Sequence, residues 1–136
     1  MSPTIPQRKK TVMVADDNTG ILEVMRAMLE HGGYIAITTS DGRNVRNLKA
    51  PLPDLLFLDI MLSGSDGREL CRGLKDNKKT RDLPILMLSA NSKIEEISKA
   101  CGSEGYLSKP FDMQRMLDLV KLHTTQQVKF PAAKNC

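Results

Sequence analysis

A chain of 136 residues, 40% hydrophobic and 26% charged, has the balance of one globular domain with a real core and no room for a second. Its formal charge of +4 is unevenly spread: all 16 acids lie between Asp16 and Asp118 with 14 basic residues, a net −2, while Arg8, Lys9, Lys10, Lys121, Lys129 and Lys134 sit at the ends. Such sparse basic ends argue against nucleic-acid binding, and no run approaches the roughly 20 apolar residues of a membrane span.

The first nine residues lack periodicity and are expected to trail as a tail, with no apolar stretch after their charges to form a secretory signal. Cytoplasmic residence is the expectation. Five short apolar segments then alternate with five segments of helical period. "TVMVA" (11–15) reads as the first strand. Asn18 opens a helix marked by Ile21, Leu22, Met25, Met28 and Leu29, and Gly32-Gly33 closes it beside His31. "YIAIT" (34–38) is the second strand, followed by a short helix through Val45 and Leu48. "LLFL" (55–58) is a continuous apolar run that ends in an acid, Asp59.

Leu70 and Leu74 mark the third helix, with Asp66 and Glu69 at capping-box spacing. "ILMLS" (85–89) precedes a helix with Ile94, Ile97 and Cys101, where Ser92 and Glu95 form a Ser-x-x-Glu capping pattern. "GYLS" (105–108) is the last strand, and Asp112 precedes the last helix, carrying Met113, Met116, Leu117 and Val120, with His123 near its end. Residues 124–136 are expected to form a second tail, so the folded domain is placed at 10–123. The eight methionines read as gap-filling core. Cys71, Cys101 and the terminal Cys136 show neither C-x-x-C nor Cys/His ligand spacing and read as packing thiols.

Strictly alternating strands and helices imply a parallel sheet with helices on both faces and right-handed crossovers. Ligands of such a sheet meet at the carboxyl ends of its strands. The first strand ends in Asp16 and Asp17, the third in Asp59, the fourth in Ser89, and the fifth in Lys109-Pro110. With strand order 2-1-3-4-5, the three acids meet in one crevice. Three carboxylates need a positive neighbour. Lys109 supplies one charge, and a hard divalent ion, Mg²⁺, would supply more. Taken singly, an acid after a strand is a helix cap and a Lys-Pro is a turn; their joint placement is what points to a site.

"VADDN", "LLFLDIMLSGSDG", "PILMLSA" and "YLSKPFD" occur in the order and spacing of one family. From about Lys10 to His123 the chain resembles the CheY-like receiver domain of two-component response regulators. The resemblance implies a flavodoxin-like (βα)5 fold of order 2-1-3-4-5, with Asp59 accepting a phosphoryl group from a histidine kinase or phosphotransfer protein. It makes Asp17, Asp59 and the backbone carbonyl of Met61 ligands of Mg²⁺ (or Mn²⁺), with Asp16 acting largely through water. Ser89 would donate to a phosphoryl oxygen, Lys109 would pair with another, and Pro110 would follow a cis bond. Tyr106 matches the aromatic switch position. The changing face would be residues 92–101, 105–109 and 112–122, acting on another protein or a second copy of the chain. Such a domain catalyses only its own phosphorylation and dephosphorylation, and no output domain is expected within this length. A phosphate-independent adaptor, or a phosphate sink, is the alternative.

Two departures stand out. Leu62-Ser63 replaces the family's usual Met-Pro, which is expected to loosen that loop, and Gly102-Ser103-Glu104 stands where small residues and an Asp are common. A dehalogenase-type phosphatase would need a second acid where Met61 stands. A flavodoxin would need a Ser/Thr-rich phosphate loop in place of "ADDNTG".

Overall fold

The computed structural model describes residues 8–125. The chain runs β1 (Thr11–Ala15), α1 (Thr19–His31), β2 (Ile35–Thr39), α2 (Gly42–Arg46), β3 (Leu55–Asp59), β4 (Met61–Leu62), β5 (Ser65–Asp66), α3 (Gly67–Asp76), β6 (Ile85–Ser89), α4 (Ile94–Cys101), β7 (Gly105–Ser108) and α5 (Met113–Thr125). Five strands form one parallel sheet of order β2-β1-β3-β6-β7, the expected 2-1-3-4-5 arrangement. The fold is therefore the flavodoxin-like (βα)5 sandwich. Among the described residues no helix is long and apolar enough to cross a membrane.

Side chains of a strand alternate between the two faces of a sheet, and here each face has its own core. Met13, Ala15, Leu56, Leu58, Ile85 and Met87 pack with Val45 of α2, Leu70, Cys71 and Leu74 of α3, and Ile94 and Cys101 of α4. Val12, Val14, Leu55, Phe57, Leu86 and Leu88 pack with Leu22, Met25 and Leu29 of α1 and Met116 and Val120 of α5. The central strands β3 and β6 are buried along their whole length, which is why their sequences are apolar without alternation. Cys71 and Cys101 are buried at the α3–α4 contact, where the Cys71 thiol donates to the Cys101 carbonyl at 3.4 Å. They pack as small hydrophobes, as expected.

Local differences from the sequence reading have local causes. β2 begins at Ile35, because the Tyr34 N–H is taken by the Leu29 carbonyl at the end of α1. α2 stops at Arg46, leaving Leu48 to pack against the core from beyond the helix, and its N-cap is Asp41, which accepts the Arg43 N–H. Ser92 does not cap α4: the N-cap position is Lys93, with no side-chain bond, and Asn91 accepts the Lys93 N–H instead. The loop after β3 holds an antiparallel hairpin, β4–β5; Gly64 at φ +72° supplies the left-handed residue between its strands. α5 continues two residues past the expected end at 123. Of the expected tails, residues 1–7 and 126–136, with Lys129, Lys134 and Cys136, lie outside the described residues. Arg8 is ion-paired with Asp54 at 3.0 Å.

Candidate functional site

Buried polar residues gather where the strands end. Asp16, 1% exposed, follows β1 and donates its N–H to Thr39 at the end of β2. Its Oδ1 accepts the Asn18 N–H at 2.8 Å, and Asn18 in turn caps α1 by accepting the Ile21 N–H. Asp59 is the last residue of β3, in register with Leu88 of β6, and is 8% exposed. Lys109 follows β7, donates its N–H to the Ser89 carbonyl, and is joined to Pro110 by a cis peptide bond. Its Nζ donates to Asp16 Oδ2 at 2.7 Å and stands 3.4 Å from Asp59 Oδ2. One ammonium is shared between two carboxylates.

That sharing sets the electrostatics. Burial, and then the neighbouring Asp16 carboxylate, push the Asp59 carboxyl up to about 6, against the pull of Lys109. A single cation does not balance two buried anions, so the ionised pair is held at a disadvantage. Every buried side-chain nitrogen and oxygen among the described residues nonetheless has a partner. The penalty lies in charge, not in missing hydrogen bonds.

The third acid has a different partner. Asp17 is exposed, and its Oδ1 accepts the Ser63 hydroxyl at 2.9 Å. Among the described residues no group of three or more His, Cys, Asp or Glu side chains is gathered as a metal cage. The acids thus differ in their partners: Asp16 and Asp59 share Lys109, while the exposed Asp17 is tied to the β4–β5 hairpin. Met61, on that hairpin, is 68% exposed.

Ser89 ends β6 with its Oγ accepting the Asn91 N–H at 2.9 Å, an arrangement that leaves its own hydroxyl proton to donate elsewhere. Tyr106, on β7, is half-buried against the core beneath α4. His31 and His123 occupy the last turns of α1 and α5, away from the cluster; burial holds His123 below the ordinary imidazole range.

Three contributions escape a reading of residue types alone. A Cβ on Gly67 would overlap the carbonyl oxygen of Asp59, so only glycine lets the start of α3 pass so close beneath the acid. Ser63 ties the hairpin to its surroundings where the absence of a proline suggested a looser loop. Glu104, the other departure, accepts the Ile85 N–H and the Lys75 ammonium, both at 2.7 Å, and anchors the opposite end of β6. The signals were present only as the last glycine of "LLFLDIMLSGSDG" and as two departures from a family pattern.

A five-stranded parallel sheet with a carboxylate pair and a lysine at its carboxyl edge is the architecture of a signalling receiver. The sequence model of the family described as "Response regulator receiver domain" matches residues 12–121. The chain belongs to that family. It is 34% identical over 125 residues to the DNA-binding dual master transcriptional regulator RpaA of Synechocystis, covering 90% of this chain and 52% of that protein. It is 38% identical over 117 residues to the alkaline phosphatase synthesis transcriptional regulatory protein PhoP of Bacillus subtilis, covering 82% of this chain and 47% of that protein. The chain thus spans about half the length of these curated relatives. Among solved structures, a putative response regulator from Chloroflexus aurantiacus superposes with a TM-score of 0.77 at 28% identity, covering 88% of this chain and all of that one.

Proposed function

We propose that this receiver accepts a phosphoryl group on Asp59 from the phosphohistidine of a sensor kinase or phosphotransfer protein. The observation that carries the reading is the Lys109 ammonium shared between Asp16 and Asp59, residues 93 and 50 positions away in sequence. In the transfer, an Asp59 carboxylate oxygen forms a bond to phosphorus as the phosphorus–nitrogen bond to the donor imidazole breaks. The electron pair leaves with the imidazole, and an acyl phosphate results. Such a transfer asks for alignment and charge neutralisation. Lys109 is placed to turn from Asp59 Oδ2 to a phosphoryl oxygen while keeping Asp16. Ser89, its lone pair engaged by Asn91, is placed to donate its proton to a second oxygen.

The donor set fits Mg²⁺, which takes one or two carboxylates and keeps several waters, so a cage of three acids is not required. Asp16, Asp59, Asp17 and the Met61 carbonyl are the groups that would hold it. The unbalanced charge of Asp16 and Asp59 is the physical reason for a cation there. When bound, Mg²⁺ supplies Lewis-acid neutralisation of the transferring group. The protein so read modifies only itself and passes the signal through α4, β7 and α5 to a protein partner, with Tyr106 as the moving ring.

Intact-mass analysis after incubation with Mg²⁺ and phosphoramidate tests the acceptor. One added phosphoryl group is expected on the wild type and none on Asp59→Asn, because an amide is a poor nucleophile. Equal labelling of the two would overturn the assignment. An unlabelled wild type would favour an adaptor that works without phosphate.

A further inference from the structure

We propose that Ser63 is a positioning residue for Asp17, fixing the one acid of the site that Lys109 does not hold. The inference rests on the Mg²⁺-dependent reading above. Ser63 lies at the turn of the β4–β5 hairpin, beside Gly64. Its hydroxyl donates to Asp17 Oδ1 at 2.9 Å, the one hydrogen bond that this carboxylate accepts among the described residues. Its N–H reaches the Ser40 carbonyl at 3.4 Å, and its backbone forms a bridge with Asp41. One residue therefore joins the ends of β1 and β2 to the hairpin that follows β3. A proline, usual at this point in the resembling sequences, has neither a hydroxyl nor an N–H to make these bonds.

Asp17 needs such a partner. It is exposed, it is the acid farthest from the lysine's hold, and an unrestrained carboxylate must be ordered when it takes up a cation. A hydroxyl on Oδ1 orders it beforehand and leaves Oδ2 open. Hydrogen bonds of this kind orient metal-binding carboxylates, and their loss typically weakens metal affinity by about 10–100-fold. Because the bond here is solvent-exposed, the lower end of that range applies. Ser63 thus does by hydrogen bonding what a rigid ring does by restricting the chain.

Titration calorimetry with Mg²⁺ on metal-stripped protein tests this, with Asp17→Asn as the control that removes the acid itself. Ser63→Ala should weaken Mg²⁺ about tenfold. Ser63→Thr, which keeps the hydroxyl, should retain wild-type affinity. A purely structural role would instead lower the melting temperature in EDTA and leave the affinity unchanged. Wild-type affinity in Ser63→Ala, or failure of Ser63→Thr to preserve it, overturns the inference while the receiver reading stands. A wild type that binds no Mg²⁺ overturns the metal-dependent reading and this inference with it.

Discussion

Asp59→Asn should make the metal-free protein more stable, although it removes the proposed acceptor. The folded chain raises the Asp59 carboxyl from the ordinary carboxylate value of about 3.9 to about 6. Each unit corresponds to about 1.4 kcal/mol, so the ionised group carries a penalty of at most about 3 kcal/mol. The adjacent Asp17 is exposed, and the substitution leaves Lys109 its other partner, Asp16, 2.7 Å away in the wild type. Screening and that retained pair reduce the expected gain to about 1–2 kcal/mol.

The pH dependence separates this mechanism from a packing effect. Below about pH 4 the carboxyl is protonated in both folded and unfolded chains, and the two proteins should be equally stable apart from any packing difference. Between about pH 4 and 6 the unfolded chain has lost the proton that the folded chain retains, so the wild type loses stability relative to the variant as pH rises. Above about 6 both forms are ionised and the gap should be constant. Urea denaturation in EDTA at several pH values from 4 to 7.5 measures it. A gap that is absent at pH 7.5, or the same size at pH 4, would refute the electrostatic account.

Lys109→Met should destabilise the metal-free chain by about 2–4 kcal/mol, since it leaves Asp16 and Asp59 buried together without their cation; denaturation near pH 7.5 with a loss under about 0.5 kcal/mol would contradict the shared-ammonium picture. Beryllofluoride with Mg²⁺ should shift amide resonances around Asp59 and across α4, β7 and α5. Ser89→Ala should keep the first set and lose most of the second, and shifts confined to the pocket in the wild type would remove the proposed switch.

The sheet and its order were legible because β3 and β6 are buried on both faces, and burial on both faces writes continuous apolar runs such as "LLFL" and "ILML". Asp16, Asp59 and Ser89 were legible for a related reason: a polar residue that closes such a run lies at the sheet edge, whereas Lys109, behind Ser108 on the partly buried β7, was legible only from its Lys-Pro pair and the family pattern. The hairpin was not legible. Two strands of two residues each carry no periodicity, and their pairing depends on Gly64 and on contacts with Ser40 and Asp41 from another loop. The Ser-x-x-Glu pattern points to Ser92 as the cap of α4, which is adequate by residue type, but Ser89 and Asn91 turn the backbone there with their own side chains. Asp17 illustrates the remaining gap: adjacency to Asp16 says nothing about which neighbour wins its carboxylate.

The arrangement also explains why binding at this edge should be felt through the whole domain. Lys109 follows β7, the strand at one edge of the sheet, and reaches Asp16 just after β1, across β6 and β3. Its position therefore depends on every intervening strand, and the cluster exists only when β1, β3, β6 and β7 are all in place. The apolar ladder, buried on both faces, supplies the favourable free energy that holds two carboxylates against one ammonium. In the metal-free chain that free energy works against local repulsion. A ligand that balances the charge relieves the repulsion without altering the ladder, so its binding must raise the stability of the fold by the same linkage that draws it to the site.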